Sequence, residues 1–369
     1  MKIGIVKEIK DKENRVSLTP DGAKKLTESG NEVLIEKDAG INSGFLNDEY
    51  KKTNAKIVSA EEAWNAELVK KVKEPLEQEY KFLKNNIVFT YFHLAGTAKT
   101  LTEALLKNKT TAIAYETVED KYGRLPLLAP MSAVAGNMSV QVGSYYLAKF
   151  NGGKGILIGE VLGNFYGKVV VIGDGIVGRH AAKTAYAMGA KVYIFGKHKE
   201  RMDDLRKVVG KKSHILLSTP ENVSNEIKDA DLVVGAVLVP GAKAPHVVTE
   251  EMVKTMQPGS VIVDVSIDQG GCIETSRPTT HSNPIFVKHG IIHYCVTNMP
   301  GAYPRTSTIA LTAATLNYAL KLSKEGLNIL KKDAGFAKGV NTRNGFITYK
   351  PVAEALGMMN KFREIEGIF

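Results

Sequence analysis

Gly173-Asp174-Gly175-Ile176-Val177-Gly178 follows the apolar run Lys168 to Ile172 directly and precedes an alanine-rich stretch from Ala181 to Met188. A G-x-G-x-x-G turn set between a strand and a helix suits a pyrophosphate. Its first glycine permits the tight turn, its second lets backbone approach the phosphates, and its third lets helix and strand pack closely. The phosphates would lie against free N–H groups at the positive end of the helix dipole. Elsewhere, Arg15 offers a planar fork and Lys73 a point charge, which together could hold a small carboxylate. His93, in Phe92-His93-Leu94, has a ring that exchanges a proton near neutrality. Asp268 sits among small residues in Ile267-Asp268-Gln269-Gly270-Gly271, where an unpaired carboxylate would be costly to bury. Taken singly, each has a structural alternative: a surface ion pair for Arg15 and Lys73, a strand-end histidine, a cap or loop brace for Asp268.

The elements that must position these residues alternate. Lys2 to Val6, Glu32 to Glu36, Leu68 to Val72, Ile87 to Tyr91 and Thr111 to Tyr115 read as short apolar strands separated by helical stretches, a parallel-sheet pattern. A second series runs through Lys168 to Ile172, Lys191 to Phe195, His214 to Leu217, Leu232 to Val237, Ser260 to Val265 and Ile291 to Val296. The expected fold class is therefore α/β: two doubly wound, Rossmann-like domains with a cleft between them. Lys73, His93, Glu116, Asp268 and Asn298 all fall just past predicted strands, where ligands of open α/β sheets bind. Residues 1–128 are expected to begin a substrate-binding domain, 129–304 to form the dinucleotide-binding domain, and 305–369 to be a helical segment that completes the first. Met131 to Phe150 reads as the bridging helix, and Gly152 to Gly167 as a loop into the nucleotide strand.

Composition narrows the classes. The chain has 44% hydrophobic and 24% charged residues, a globular balance, and no window approaches an apolar membrane span. With no apolar signal core in the first residues, a cytoplasmic protein is expected. The net charge of +10 is spread among interleaved acids, as from Lys197 to Lys207, so no nucleic-acid partner is expected. Cys272 and Cys295 make no disulfide framework; His289 and His293 lack a carboxylate in metal-site register, and no metal is expected. No Walker loop, G-x-S-x-G elbow or H-E-x-x-H is present.

Several longer runs carry a resemblance. Lys7-Glu8-Ile9 through Glu13-Asn14-Arg15-Val16, Val72-Lys73-Glu74-Pro75, Phe92-His93-Leu94, Tyr115-Glu116-Thr117, Ala129-Pro130-Met131-Ser132, Gly235 to Pro245, Ile267 to Gly271 and Asn298-Met299-Pro300-Gly301 occur in the order found in L-alanine dehydrogenases, and the chain resembles that family over its whole length. The resemblance implies reversible oxidative deamination of L-alanine to pyruvate and ammonium with reduction of NAD. It implies that Arg15 and Lys73 hold the substrate, that Met131 lines its site, and that His93 and Asp268 are the acid/base pair. It further assigns Ser132, Gly173, Gly175, Gly178, Arg201, Ser218, Val237, Leu238, Ile267, Asp268, Arg277, Asn298 and Met299 to the cofactor, and implies a homohexamer. The alternatives are the NAD(H)-binding component of a proton-translocating transhydrogenase, which has no need of Lys73 and His93, a glycine/glyoxylate or saccharopine-type dehydrogenase, and a nucleotide sensor without catalysis.

The chain departs from the family pattern at Gly196. After Val192 to Phe195 an acid that accepts from the adenosine ribose is expected, and here Gly196 is followed by Lys197, His198, Lys199 and Arg201. NAD remains the expected cofactor, with weakened discrimination against NADP, since the repulsive carboxylate is gone and cations stand nearby. Ala133 and Asn137 replace an expected Glu and Arg, which touches only local contacts.

Overall fold

A computed structural model describes residues 1–239 and 244–368. Pro240 to Lys243, within the Gly235 to Pro245 motif, and Phe369 lie outside the described residues. The chain divides into two compact units, Met1–Met131 with Gly301–Phe369, and Ser132–Pro300. Both are α/β with sheets dominated by parallel pairing.

In the first unit six parallel strands run, in spatial order, Thr111–Ala114, Ile87–Thr90, Leu68–Lys70, Lys2–Ile5, Glu32–Glu36 and Lys56–Val58. The last was not apparent as a strand because Lys56–Val58 is short and only partly buried, so it has little apolar signal. The 305–369 segment is not purely helical. After the helix Pro304–Glu325, the strands Val340–Arg343 and Phe346–Ile347 extend the sheet antiparallel beside Thr111–Ala114. Val340–Arg343 holds only one large apolar residue in four, and what makes it a strand is the ladder offered by Thr111–Ala114. The long helix also fastens the chain around Arg15. Val16 N–H donates to Thr308 Oγ1 at 3.1 Å and Thr19 N–H to Thr312 Oγ1 at 3.0 Å.

The second unit carries the order His214–Leu217, Lys191–Gly196, Lys168–Ile172, Leu232–Gly235, Val261–Asp264, Ile291–Tyr294, with the antiparallel Ile285–Lys288 at the edge. Val169, Val171, Leu232, Val234, Val261 and Val263 pack into one apolar layer, while Val170, Ile172, Val233 and Ile262 pack into the opposite one. Burial on both faces is why these strands read as unbroken apolar runs. The sequence order along the sheet reverses between Lys168–Ile172 and Leu232–Gly235, which makes their carboxyl ends a topological switch point. Gly152 to Gly167 is not all loop, since Gly159–Val161 and Asn164–Tyr166 form a small hairpin. The predicted bridge is the helix Ala129–Leu147. No helix among the described residues is long and apolar enough to cross a membrane.

Candidate functional site

In the first unit Arg15 is 2% exposed and fully engaged. Its Nε donates to one Glu13 oxygen at 2.7 Å and its Nη2 to the other at 2.5 Å, while Nη1 reaches Met131 Sδ at 3.1 Å. Desolvation works against the Arg15 charge, and the Glu13 carboxylate more than offsets it, so its pKa is raised. Lys73 is half-buried just past Leu68–Lys70. Its pKa is lowered, by desolvation first and then by the neighbouring Arg15 cation. Its Nζ has no hydrogen-bond or ion-pair partner among the described residues, whereas Lys10 pairs with Glu74 and Lys71 with Glu79. Arg15 and Lys73 set two cations side by side, an arrangement that suits a small anionic substrate. Sequence reasoning missed the role of Glu13; its place two residues before a buried arginine was the available signal.

His93 lies three residues past the strand Ile87–Thr90 in a left-handed conformation, φ 48°, uncommon for a residue with a Cβ. The constraint comes from Glu116. One of its oxygens accepts from His93 N–H at 2.6 Å and the other from Phe92 N–H at 3.3 Å. The imidazole, half-buried, stacks on Tyr91 at 6.0 Å between ring centroids. Tyr91 in turn donates its hydroxyl to Leu127 O and lies close enough to Arg15 to feel its charge. Arg15, Lys73, Met131 and His93 are thus gathered by the carboxyl ends of adjacent strands and the start of the bridging helix. Behind them, Glu8 accepts from Val72 N–H at 2.6 Å, and burial pushes its pKa up to about 7 despite Lys71 3.4 Å away.

In the second unit the glycine turn fits a pyrophosphate. Gly173 has φ 114°, and a Cβ there would lie 2.3 Å from Ala236 O; one on Gly178 would lie 1.9 Å from Gly173 O. Gly175 differs: a Cβ would meet nothing within 4 Å, so its missing side chain leaves open space at the start of the helix Ile176–Ala187. That space, facing helix N–H groups, is where phosphate oxygens would be held. A Cβ on Gly136, in the bridging helix, would lie 2.4 Å from Val177 O, so this glycine lets the bridging helix press against the nucleotide helix, and Asn137 accepts from Thr184.

The other residues expected at the cofactor distribute unevenly. Ser218 N–H bonds to Gly196 O, Val237 N–H to Ser266 Oγ, and Leu238 is exposed; all follow carboxyl ends of parallel strands. Ser132 is half-buried on the bridging helix, and Arg201 is exposed in the short turn Lys199–Arg201. Asn298 O meets His281 Nε2 at 2.8 Å. Ile267 and Met299 are buried. The Arg277 guanidinium lies 4.4 Å from the Phe286 ring centroid.

Asp268 is exposed in the turn Val265–Gln269, so the expected cost of burying it does not arise. The buried acid of this loop is Asp264, which accepts from the N–H groups of Ser266, Cys272 and Ile273 at 3.0–3.1 Å. Its pKa is raised by desolvation. Asp264, four residues earlier, thus braces the turn that carries Asp268. His293 is buried against Thr275, and His289 pairs with Glu250.

The family profile for the N-terminal domain of alanine dehydrogenase/PNT matches residues 4–135, and that for the C-terminal domain matches residues 139–350. An alanine dehydrogenase of Staphylococcus haemolyticus is 53% identical over 362 residues, 97% of each chain. Alanine dehydrogenase 2 of Staphylococcus aureus strain USA300 is 51% identical over 365 residues, 98% of each. A solved L-alanine dehydrogenase matches with a TM-score of 0.93 at 46% identity, covering 97% of this chain and 99% of that one. A transhydrogenase from Sinorhizobium meliloti matches with a TM-score of 0.82 but only 23% identity over 94% of this chain and all of that one, a likeness of fold alone. Two domain profiles end to end, and relatives sharing half of all residues over nearly full length, establish that this chain belongs to the alanine dehydrogenase/PNT family.

Proposed function

We propose that the protein is an alanine dehydrogenase, interconverting L-alanine and water with pyruvate and ammonium at the expense of a nicotinamide dinucleotide. The observation that carries this beyond the family is the juxtaposition of Arg15 with Lys73, whose ammonium has no hydrogen-bond or ion-pair partner among the described residues. A chain that only bound and passed on nucleotide would have no use for this pair of cations.

The dinucleotide, when bound at the glycine turn, supplies the acceptor for the hydride that leaves Cα with both bonding electrons. The remaining work falls to side chains. Arg15, locked by Glu13, and Lys73 hold the substrate carboxylate and, in the reverse direction, the keto oxygen, with Met131 closing the apolar side. Hydride can leave only from the neutral amine, so a base must first remove a proton from the ammonium group. The resulting imine must take up water at Cα and release ammonia, which needs a proton delivered to nitrogen. We assign these transfers to His93 and Asp268. The lowered pKa of Lys73 keeps its proton easier to share with a developing alkoxide than that of an exposed lysine.

NAD is the proposed dinucleotide. Position 196 contributes no side chain to the choice, so NADP is expected as a weaker alternative unless another residue excludes it. A cytoplasmic homohexamer is the proposed state; the exposed Phe150, Leu157 and Leu162 supply apolar surface for self-association.

The deciding measurement is turnover of L-alanine with each dinucleotide, and of pyruvate with ammonium and each reduced form, beside glycine and L-serine. Turnover of L-alanine above the other amino acids supports the reading. No turnover with either alanine or pyruvate would overturn it, and a preference for glycine would move the chain to another substrate class.

A further inference from the structure

The acid missing at Gly196 has a neighbour that takes its place. Gly196 ends the strand Lys191–Gly196 and is buried, and a Cβ built on it would lie 2.9 Å from Asp174 Oδ2, 3.0 Å from its carboxyl carbon and 3.3 Å from its Cβ. Asp174 is the second residue of the glycine turn, reached from the adjacent strand Lys168–Ile172 rather than from the strand that Gly196 ends. Its carboxylate therefore fills the space where a side chain on residue 196 would begin. Glycine at 196 and aspartate at 174 fit one another, because a larger residue at 196 would require the Asp174 carboxylate to move.

Three features fit this carboxylate for a pair of ribose hydroxyls. It stands beside the carboxyl end of the second nucleotide strand, where the adenosine ribose of a dinucleotide lies when the pyrophosphate is on the glycine turn. It is half-buried, yet neither oxygen has a hydrogen-bond or ion-pair partner among the described residues; only the backbone carbonyl of Asp174 is engaged, by Arg179 Nε at 2.9 Å. A partly desolvated carboxylate without donors is stabilised by any ligand that brings them. The competing features, Lys197, Lys199 and Arg201, are fully exposed and lie beyond the strand end, and the nearby His198 is already 3.2 Å from Glu200.

We propose that Asp174 is the residue that accepts from the adenosine ribose hydroxyls and rejects a 2′-phosphate, so that selectivity for NAD is carried by the glycine turn itself. The inference rests on the reading of the protein as a nicotinamide dinucleotide enzyme. A 2′-phosphate would bring two negative charges against the Asp174 carboxylate, while a 2′-hydroxyl would satisfy it.

Fluorescence titration of the full-length protein with NADH and with NADPH tests this without turnover. Wild type should bind NADH the more tightly. Asp174→Asn should weaken NADH and move the NADH-to-NADPH affinity ratio about tenfold or more toward NADPH, the scale of one charged hydrogen bond. Gly196→Asp alone should weaken NADH, since two carboxylates would share one space, and Asp174→Ser with Gly196→Asp should restore NADH and its selectivity. An unchanged ratio in Asp174→Asn, or a Gly196→Asp protein that binds NADH more tightly than wild type, overturns the proposal. If Asp174→Asn does not fold, a crystal structure of the wild-type NADH complex decides: Asp174 within hydrogen-bond distance of the ribose hydroxyls supports it, and a ribose held elsewhere refutes it. Failure of wild type to bind either nucleotide would instead refute the dinucleotide reading.

Discussion

Glu13 grips Arg15 at two points, with its carboxylate oxygens 2.7 Å from Nε and 2.5 Å from Nη2, and both side chains are almost fully buried. The pair leaves Nη1 directed at Met131 and gives the arginine a single orientation from which to meet a substrate. A buried pair of this kind is costly to break from one side, because the surviving charge is left without a partner in low dielectric.

Glu13→Gln should therefore destabilise the protein by about 3–5 kcal/mol. Urea unfolding of variant and wild type measures the difference, and a loss below about 0.5 kcal/mol would mean that water or another acid replaces Glu13.

For His93 the backbone and the ring can be separated. Asparagine tolerates the left-handed conformation at φ 48° but cannot carry the proton. His93→Asn should keep its thermal midpoint within a few degrees while kcat falls about a hundredfold or more. An unchanged kcat would assign the imidazole to stacking on Tyr91 alone.

Two glycines of one turn should fail differently. Gly175 has φ −70° and open space at its Cβ position, so Gly175→Ala should fold with unchanged stability and lose NADH affinity about tenfold or more, because the methyl enters the phosphate space. Gly178→Ala drives a methyl to within 1.9 Å of Gly173 O and should lower the melting temperature as well. Equal melting losses in both variants would mean that Gly175 serves packing.

Glu8 gives a pH signature. Its folded pKa is about 7, raised by burial from the ordinary 4.5, so between those values the native state holds a proton that the unfolded state has released. Stability from this group is present in full below about 4.5 and is lost as pH rises toward 7. Glu8→Gln keeps an oxygen for Val72 N–H and removes the titration. The variant should gain on wild type as pH rises through that window, read from urea midpoints at pH 5, 6 and 7; a constant difference would place the Glu8 pKa outside it.

Much of this protein is written locally. The strand before Gly173, the helix after it and the apolar runs of both sheets are legible because a strand buried on two faces must be continuously apolar, and because only glycine fits where Gly173 and Gly178 meet backbone. Arg15, Lys73 and His93 are legible as types with chemistry, at the strand ends where that chemistry is used.

Other features depend on partners distant in sequence. Val340–Arg343 is a strand because Thr111–Ala114 and Phe346–Ile347 offer it ladders, and while Glu13 grips Arg15, the backbone that follows it is fastened by threonines of a helix some 300 residues away. Likewise the sequence showed an acid missing at Gly196 but could not show one arriving from Asp174, since two neighbouring parallel strands bring together residues that are 22 positions apart. Periodicity and residue type act within a few residues and so can be read along the chain. Which carboxylate neutralises, orients or replaces another is decided by short-range contacts that exist only once the sheet has formed.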